Sequence, residues 1–370
     1  MTRQKVAIVG GGIMGSTVAY YLTTHPNWQD FEVTMFDDGM GQATKAAAGI
    51  ISPWMSKRRN QRWYRLARMG ADLIHQLAVE TKMDASMYQQ NGTIITRDTA
   101  AKIDQLLQLA RQREVDAPLM GTLTKLSADE INQLIPMVEN QLPGLLVSGG
   151  AMIDGGRFAH HLRSIAEQHY FSSKKQKVTL TKIKNKIKIN QETFNKVMIC
   201  TGAWMKDTIA PLGFDLKVRP QKGQLIKIKL NQPVNKNYMP VLMPEGERDF
   251  IPINNHEIII GATHENDMGF DLNPSDEAFN DLLASAKRLM PNITKDNIEL
   301  IRVGTRAYTD DFAPYFGALP GLDNVLIGGG LGSSGLTTGP MIAKLLAESV
   351  ITGSQKNWSE YTKPIDNYLN

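Results

Sequence analysis

Cysteine is nearly absent from this chain. Cys200 stands alone among 370 residues, which excludes an intramolecular disulfide and fits a reducing compartment. It lies in the apolar run Val197-Met198-Ile199-Cys200, a setting that suits a small core residue better than a nucleophile. No C-x-x-C or H-E-x-x-H pattern occurs, so no metal site is expected. No apolar run reaches the length of about 18 residues that a spanning helix needs. The apolar stretch 6–22 follows Arg3 and Lys5, but glycines at 10, 11, 12 and 15 interrupt it and no small-residue cleavage site precedes His25-Pro26. A secretory signal is therefore not expected. Internal repeats and low-complexity segments are missing as well. These absences lead to the expectation of a soluble, cytoplasmic protein without an integral membrane segment.

An excess of one charge is also lacking: the formal net charge is only +4. Lysines crowd into one stretch, at 174, 175, 177, 182, 184, 186 and 188. Such a patch can meet nucleic acid or an anionic membrane. Here Lys182, Lys184, Lys186 and Lys188 alternate with Ile183, Ile187 and Ile189. That period of two marks the wet face of a hairpin, and no nucleic-acid partner is expected.

What is present is length enough for about two domains, with 42% apolar and 21% charged residues, as in a globular protein. Residues 5–9 read as a buried strand, 10–15 as a turn, 16–24 as a helix and 31–36 as a second strand, a β-α-β opening. A long amphipathic helix is expected over 61–80, others over 99–113, 155–169 and 275–290, and a capping box at 127–130. Strands are expected at 92–96, 196–200, 224–230, 249–253, 257–261 and 324–327, and a last helix at 338–350. β-α-β patterns at both ends, with antiparallel-looking strands between them, point to an α/β fold. In it a discontinuous Rossmann-like nucleotide-binding domain carries an inserted mixed-sheet (α+β) domain.

Four groups of residues carry the chemistry. Gly10-Gly-Gly12-Ile-Met-Gly15 is a G-x-G-x-x-G that follows a strand and opens a helix. Gly10 permits the turn, Gly12 admits a pyrophosphate, and Gly15 lets the helix pack on the strand. Asp37 closes the second strand, where a carboxylate accepts from ribose hydroxyls. This unit does not separate FAD from NAD. Thr44-Lys45-Ala-Ala-Ala48-Gly49 offers small residues for close passage over a cofactor, with Thr44 as a phosphate donor. Gly328-Gly-Gly330-Leu331-Gly332-Ser333-Ser334-Gly335 precedes a helix and supplies a second anion-binding start. An NAD enzyme has no need of it, which tilts the reading to FAD. Finally, Arg302-Val-Gly304-Thr-Arg306 provides guanidiniums suited to a substrate carboxylate.

In this order the motifs resemble the superfamily of FAD-dependent D-amino-acid oxidases, glycine oxidases and sarcosine oxidases, over nearly the whole chain. Further matches are Val197-Met-Ile-Cys-Thr201-Gly202-Ala-Trp204, Arg219-Pro-Gln-Lys-Gly-Gln224, Ile260-Gly-Ala-Thr-His264-Glu265 and Gly304-Thr-Arg306-Ala-Tyr-Thr309-Asp-Asp311-Phe-Ala-Pro314. The resemblance implies an FAD-binding domain at 1–85, 145–218 and 298–370, and a substrate domain at 86–144 and 219–297. It places Arg306 on the substrate carboxylate, with Arg302, Phe250 and His264 as further substrate-side candidates and His264 as the only candidate base. Gly10, Gly12, Ile13, Met14, Gly15, Asp37, Asp38, Thr44, Lys45, Ala48, Gly49, Val178, Thr201, Gly202 and Trp204 become cofactor candidates. So do Gly330, Leu331, Gly332, Ser333, Ser334, Gly335 and Leu336, all but Gly332 as the loop beside the flavin ring. Three departures stand out. Phe250 replaces a tyrosine that many relatives have near the carboxylate, and Lys222 replaces an arginine. Ile259 replaces the lysine that sarcosine oxidases use with oxygen. No cysteine or histidine near Leu331 offers a covalent flavin link, so FAD is expected non-covalently. The implied activity is oxidation of a small amino acid (glycine, sarcosine or a D-amino acid), with oxygen or another electron acceptor and self-association both left open. The alternatives are an NAD(P)-dependent dehydrogenase and a non-catalytic FAD-binding subunit.

Overall fold

The opening strand, Gln4–Val9, is buried along its inner four residues and reads alternately to two sides. Val6 and Ile8 enter one apolar cluster, Ala7 and Val9 another. A strand dry on both faces belongs in the middle of a parallel sheet, and that is its place in the computed structural model, which describes residues 3–41, 43–56, 60–184, 186–246, 248–355 and 357–370. The sheet has six strands, in the order Tyr315–Leu319, Leu322–Gly329, Lys196–Ile199, Gln4–Val9, Phe31–Phe36, Phe171–Lys174. All neighbours are parallel except the first pair. Helices Ile13–Thr24, Gly155–Ala166 and Gly335–Thr352 cover one face, with Gln61–Glu80 packed against the last. The other face is covered by a small sheet of Leu180–Ile183, Lys186–Ile189 and Glu192–Phe194. The lysine stretch is thus a hairpin. Ile183 nevertheless lies at its end with 43% of its surface exposed, because the chain turns at Lys184 and the alternation breaks there.

A second sheet of eight strands includes Ile298–Tyr308, Arg219–Lys229, Glu257–Gly261, Asp249–Pro252 and Thr93–Thr96. Its outer face packs Ile226, Ile228, Phe250, Ile258 and Ile260 against the helix Asp276–Lys287. Its inner face presents Leu225, Ile251 and Ile259 to Met152, Ala48 and Ile50. The strand Ile298–Tyr308, expected among the nucleotide-binding pieces, pairs with Arg219–Lys229 instead, so a boundary at 298 would cut it from its own sheet. Among the described residues no helix is long and apolar enough to cross a membrane, and no cluster of side chains could hold a metal.

Candidate active site

The glycine turn after Gln4–Val9 is closed toward the strand and open toward solvent. Gly10 has φ +101°, and a Cβ there would stand 2.5 Å from the Cys200 carbonyl oxygen. Only glycine combines that conformation with that approach. A Cβ on Gly15 would overlap the Gly10 carbonyl, so helix and strand touch. A Cβ on Gly12 would meet only Thr44 Oγ1, at 3.2 Å. Thr44 Oγ1 in turn accepts a hydrogen bond from Ile13 N at 2.9 Å, which docks the short helix Ala43–Ala46 beside the opening. The Asp37 carboxylate lies over the same turn, 2.7 Å from where a Cβ on Gly11 would be. Behind it, Arg163 Nη1 donates to Gly11 O at 2.6 Å and to Ser16 Oγ at 3.0 Å. Burial lowers the Arg163 pKa, with Asp37 the leading opposing charge.

The second glycine loop sits at the same edge of the sheet, since Gln4–Val9 and Leu322–Gly329 run in one direction and each feeds a helix. Gly332 has φ +55°, and a Cβ there would run into the Tyr308 ring. Ser333 N donates to Tyr308 Oη at 3.1 Å, and Trp63 Nε1 donates to Ser334 Oγ at 3.0 Å. The helix starts at Gly335, three residues earlier than expected, so Leu336 lies in its first turn. Ile13 and Met14 open the helix Ile13–Thr24, whereas Gly330 and Leu331 lie in the loop after Leu322–Gly329, with Leu331 packed beside Gly335 and Gly339. At Gly202, beside Thr201, a Cβ would meet nothing within 4 Å. Two helix N-termini, an open glycine floor and a carboxylate at the second strand's end are what a dinucleotide's phosphates and ribose require, so the residues fit FAD.

Other expected contacts divide. Trp204 packs on Gly41 and stacks at 5.0 Å from Phe270, and Val178 packs against the core cluster containing Phe36. Asp38 and Lys45 are exposed, and the Asp38 carboxylate accepts from Met40 N at 3.0 Å. Gly49 is a packing position, since a Cβ would overlap the Ile153 carbonyl.

Arg302, Gly304 and Arg306 share one face of their strand, because side chains alternate. Gly304 brings that face onto the cofactor side: a Cβ there would lie 2.7 Å from Ala46 Cβ. Arg306 lies over Gly223 of the neighbouring strand, where a Cβ would stand 2.7 Å from the guanidinium. Its Nη1 donates to Gln221 Oε1 at 3.0 Å and to Thr263 O at 2.8 Å. Burial pulls its pKa down, with Tyr308 and Glu265 opposing and Arg248 adding to the fall. Among the described residues no carboxylate comes within ion-pair distance. A partly buried cation held by neutral acceptors is ready for an external anion. Farther along the face, a cavity of about 450 Å³ is lined by Ala47, Ala48, Met152, Ile259 and Arg302 among others.

Two expectations need correction. Phe250 is 2% exposed and packs with Ile94 and Leu242 on the outer face, away from Arg306. The residue on the inner face is its neighbour Asp249, in register with Gly261 and, through Leu225, with Arg302. His264 is exposed on its loop, and it does not line the cavity. Gln221 and Tyr308, beside Arg306, and Asp249, on the inner face of the same sheet, are residues that the sequence reading passed over. The only signal for them was their strand position relative to Arg306.

The chain matches the model of the FAD dependent oxidoreductase family (DAO) over residues 5–349. It is 35% identical over 357 residues to an uncharacterised oxidoreductase of Bacillus subtilis, covering 93% of this chain and 94% of that one. It is 26% identical to the glycine oxidase of Pseudomonas aeruginosa, again with 93% and 94% covered. The crystal structure of an iminodiacetate oxidase from Chelativorans superposes with a TM-score of 0.87 at 28% identity, covering 98% of each chain.

Proposed function

We propose that this chain, which belongs to the FAD dependent oxidoreductase family, oxidises a small amino or imino acid at the carbon next to its nitrogen. Its cofactor is FAD, which when bound takes two electrons from the substrate C–H bond as a hydride. The observation that carries the reading is Arg306: partly buried, and held by Gln221 and the Thr263 carbonyl with no carboxylate partner among the described residues. Glycine and iminodiacetate, the compounds in the relatives' names, each pair a nitrogen with a carboxylate two bonds away, as this anchor requires.

The chain's own residues then do three things. Arg306 fixes the carboxylate and so sets where the α-carbon lies relative to Ala46–Ala48. Ile259, Met152, Ala47 and Ala48 form an apolar part of the cavity wall, against which the neutral amine that can give up a hydride is favoured over its protonated form. The glycine turn, Asp37, Thr44 and the 330–336 loop hold the cofactor without a covalent bond. The product imine is hydrolysed by water after release. Ile259, apolar and 3% exposed, gives no cation at the position linked with oxygen, which suits an acceptor other than oxygen.

Anaerobic mixing with glycine, sarcosine, iminodiacetate, proline and a set of D-amino acids tests this: at least one bleaches the flavin band near 450 nm. Bleaching by none of them refutes amine oxidation. Arg306→Ala is expected to raise the half-bleaching concentration roughly 10- to 150-fold, the weight of a charge-assisted hydrogen bond, while the yellow cofactor stays bound.

A further inference from the structure

Three cations line the 450 Å³ cavity: Arg157, Lys227 and Arg302. Lys227 Nζ is neutralised by Glu257 at 2.8 Å and Glu299 at 2.7 Å. Arg157 Nη1 donates to Ser86 Oγ at 2.6 Å. Of the acids on the wall, Asp154 caps its own helix by accepting from Arg157 N at 2.8 Å, and Glu257 is the partner of Lys227. Arg302 has neither a hydrogen-bond nor an ion-pair partner among the described residues. It is partly buried, which makes an idle guanidinium costly to keep unless something answers it.

Its position relates it to Arg306. The two residues lie four apart on one strand, on one face, about 13 Å apart at Cα. Gly304 lies between them with Gly223 opposite, so the strand itself raises no side chain there; Ala46 packs onto Gly304 instead, and a ligand joining the two guanidiniums would pass beside its methyl group. The Arg306 guanidinium lies over Gly223, and Arg302 lines the cavity on the other side of Gly304. Ala47 and Ala48 lie on the cavity's opposite wall, next to the helix that abuts Gly304.

We infer that Arg302 is the anchor for a second anionic group, and that the substrate class is an amino or imino acid bearing a second carboxylate on a short flexible arm. This rests on the amine-oxidation reading above. In it Arg306 holds the carboxylate next to the reacting carbon, and Arg302 holds the distal one in the cavity. The dicarboxylate gains because its second charge meets a preformed, uncompensated cation. A neutral substituent in the same place leaves Arg302 unanswered.

The test compares each dicarboxylate with its mono-amide: iminodiacetate with N-(carbamoylmethyl)glycine, D-glutamate with D-glutamine, and D-aspartate with D-asparagine. Anaerobic flavin bleaching gives kcat/KM for each. For at least one pair the ratio of dicarboxylate to amide is expected to be about tenfold or more in the parent protein. In Arg302→Gln the ratio falls to near one, and in Arg302→Lys, which keeps the charge, it stays above one. Retained yellow FAD shows that each variant is folded. A parent ratio near one for every pair, or an unchanged ratio in Arg302→Gln, overturns the inference. If glycine or sarcosine bleaches the flavin and no dicarboxylate does, this inference alone fails. If nothing bleaches it, the amine-oxidation reading fails with it.

Discussion

Burial pushes the Asp249 carboxyl from its ordinary value of 3.8 up to about 7, with the Arg248 charge opposing. The folded protein therefore holds this proton more tightly than the unfolded chain. Between those two values the folded state binds more protons, so stability falls as pH rises from about 4 to about 7 and levels off above it. Three units correspond to about 4 kcal/mol, an upper figure for a partly exposed group. Asp249→Asn stays neutral throughout. It should raise the melting temperature relative to the parent most at pH 8, less at pH 5 and little at pH 4. A difference of equal size at all three pH values would contradict the burial argument. The same residue shows what the sequence could and could not say. Arg306 was legible because its motif names it, and Gly304 in the middle confirms which face it shares. Asp249 was not, because Phe250 was aligned with the tyrosine of the relatives. In a strand a slip of one residue moves a side chain to the opposite face. Only the ladder to Glu257–Gly261 decides which of the two neighbours looks at the site.

The segment 262–275 depends on side chains of the strand Arg219–Lys229 for its shape. Lys222 is completely buried, and its Nζ donates to Asp271 Oδ2 at 2.6 Å and to Asn273 O at 2.5 Å. Two positions on, Gln224 Nε2 donates to Glu265 and to Ser275 Oγ at 3.0 Å each. The same segment supplies Thr263 O to Arg306, so its anchoring reaches the proposed substrate site. Asp271→Ala would leave the ammonium buried with a carbonyl as its remaining partner. Asp271 is 33% exposed, so the loss is expected to be smaller than that of breaking a fully buried pair. Lys222→Met, which removes the charge and keeps the volume, should cost less. Urea midpoints of the two variants check the order, and a raised KM in Asp271→Ala would show that the loop positions Arg306. If Lys222→Met were the more damaging, the buried charge would be a net stabiliser after all. Elements like these were only partly legible. The helix Gln61–Glu80 and the caps Ser127 and Ser275 follow local rules and lie where the sequence puts them. The first turn of Gly335–Thr352 was missed because glycine lowers helix propensity and its neighbours supply the compensation from afar. Lys222 read as a departure from arginine. Its role as a loop anchor depends on residues about fifty positions away.

At the scale of the whole molecule, the proposed cofactor cradle is assembled from two segments far apart in the chain. The Gly10–Gly15 turn and the Gly328–Gly335 loop are more than 300 residues apart in sequence. They meet because Gln4–Val9 and Leu322–Gly329 both flank Lys196–Ile199 in one parallel sheet. The glycine signatures made the two ends legible. The partition between them was not, since Ile298–Tyr308 joins the other sheet through pairing with a strand about 80 residues earlier, and non-local pairing leaves no local mark. A ligand touching both ends must stabilise the assembled fold by mass action. FAD at a hundredfold excess over its Kd adds about 2.7 kcal/mol, and each further tenfold about 1.4 kcal/mol. Protein stripped of FAD should therefore melt lower, and its melting temperature should climb steadily with added FAD. Asp37→Ala removes the acceptor at the end of Phe31–Phe36 and should move that titration to roughly 10- to 100-fold higher FAD, the range of a charge-assisted hydrogen bond to ribose. Scanning calorimetry across a series of FAD concentrations reads both effects. A melting temperature indifferent to FAD would mean that the two glycine segments do not share one ligand. A titration unmoved by Asp37→Ala would mean that the carboxylate over Gly11 faces something other than the ribose.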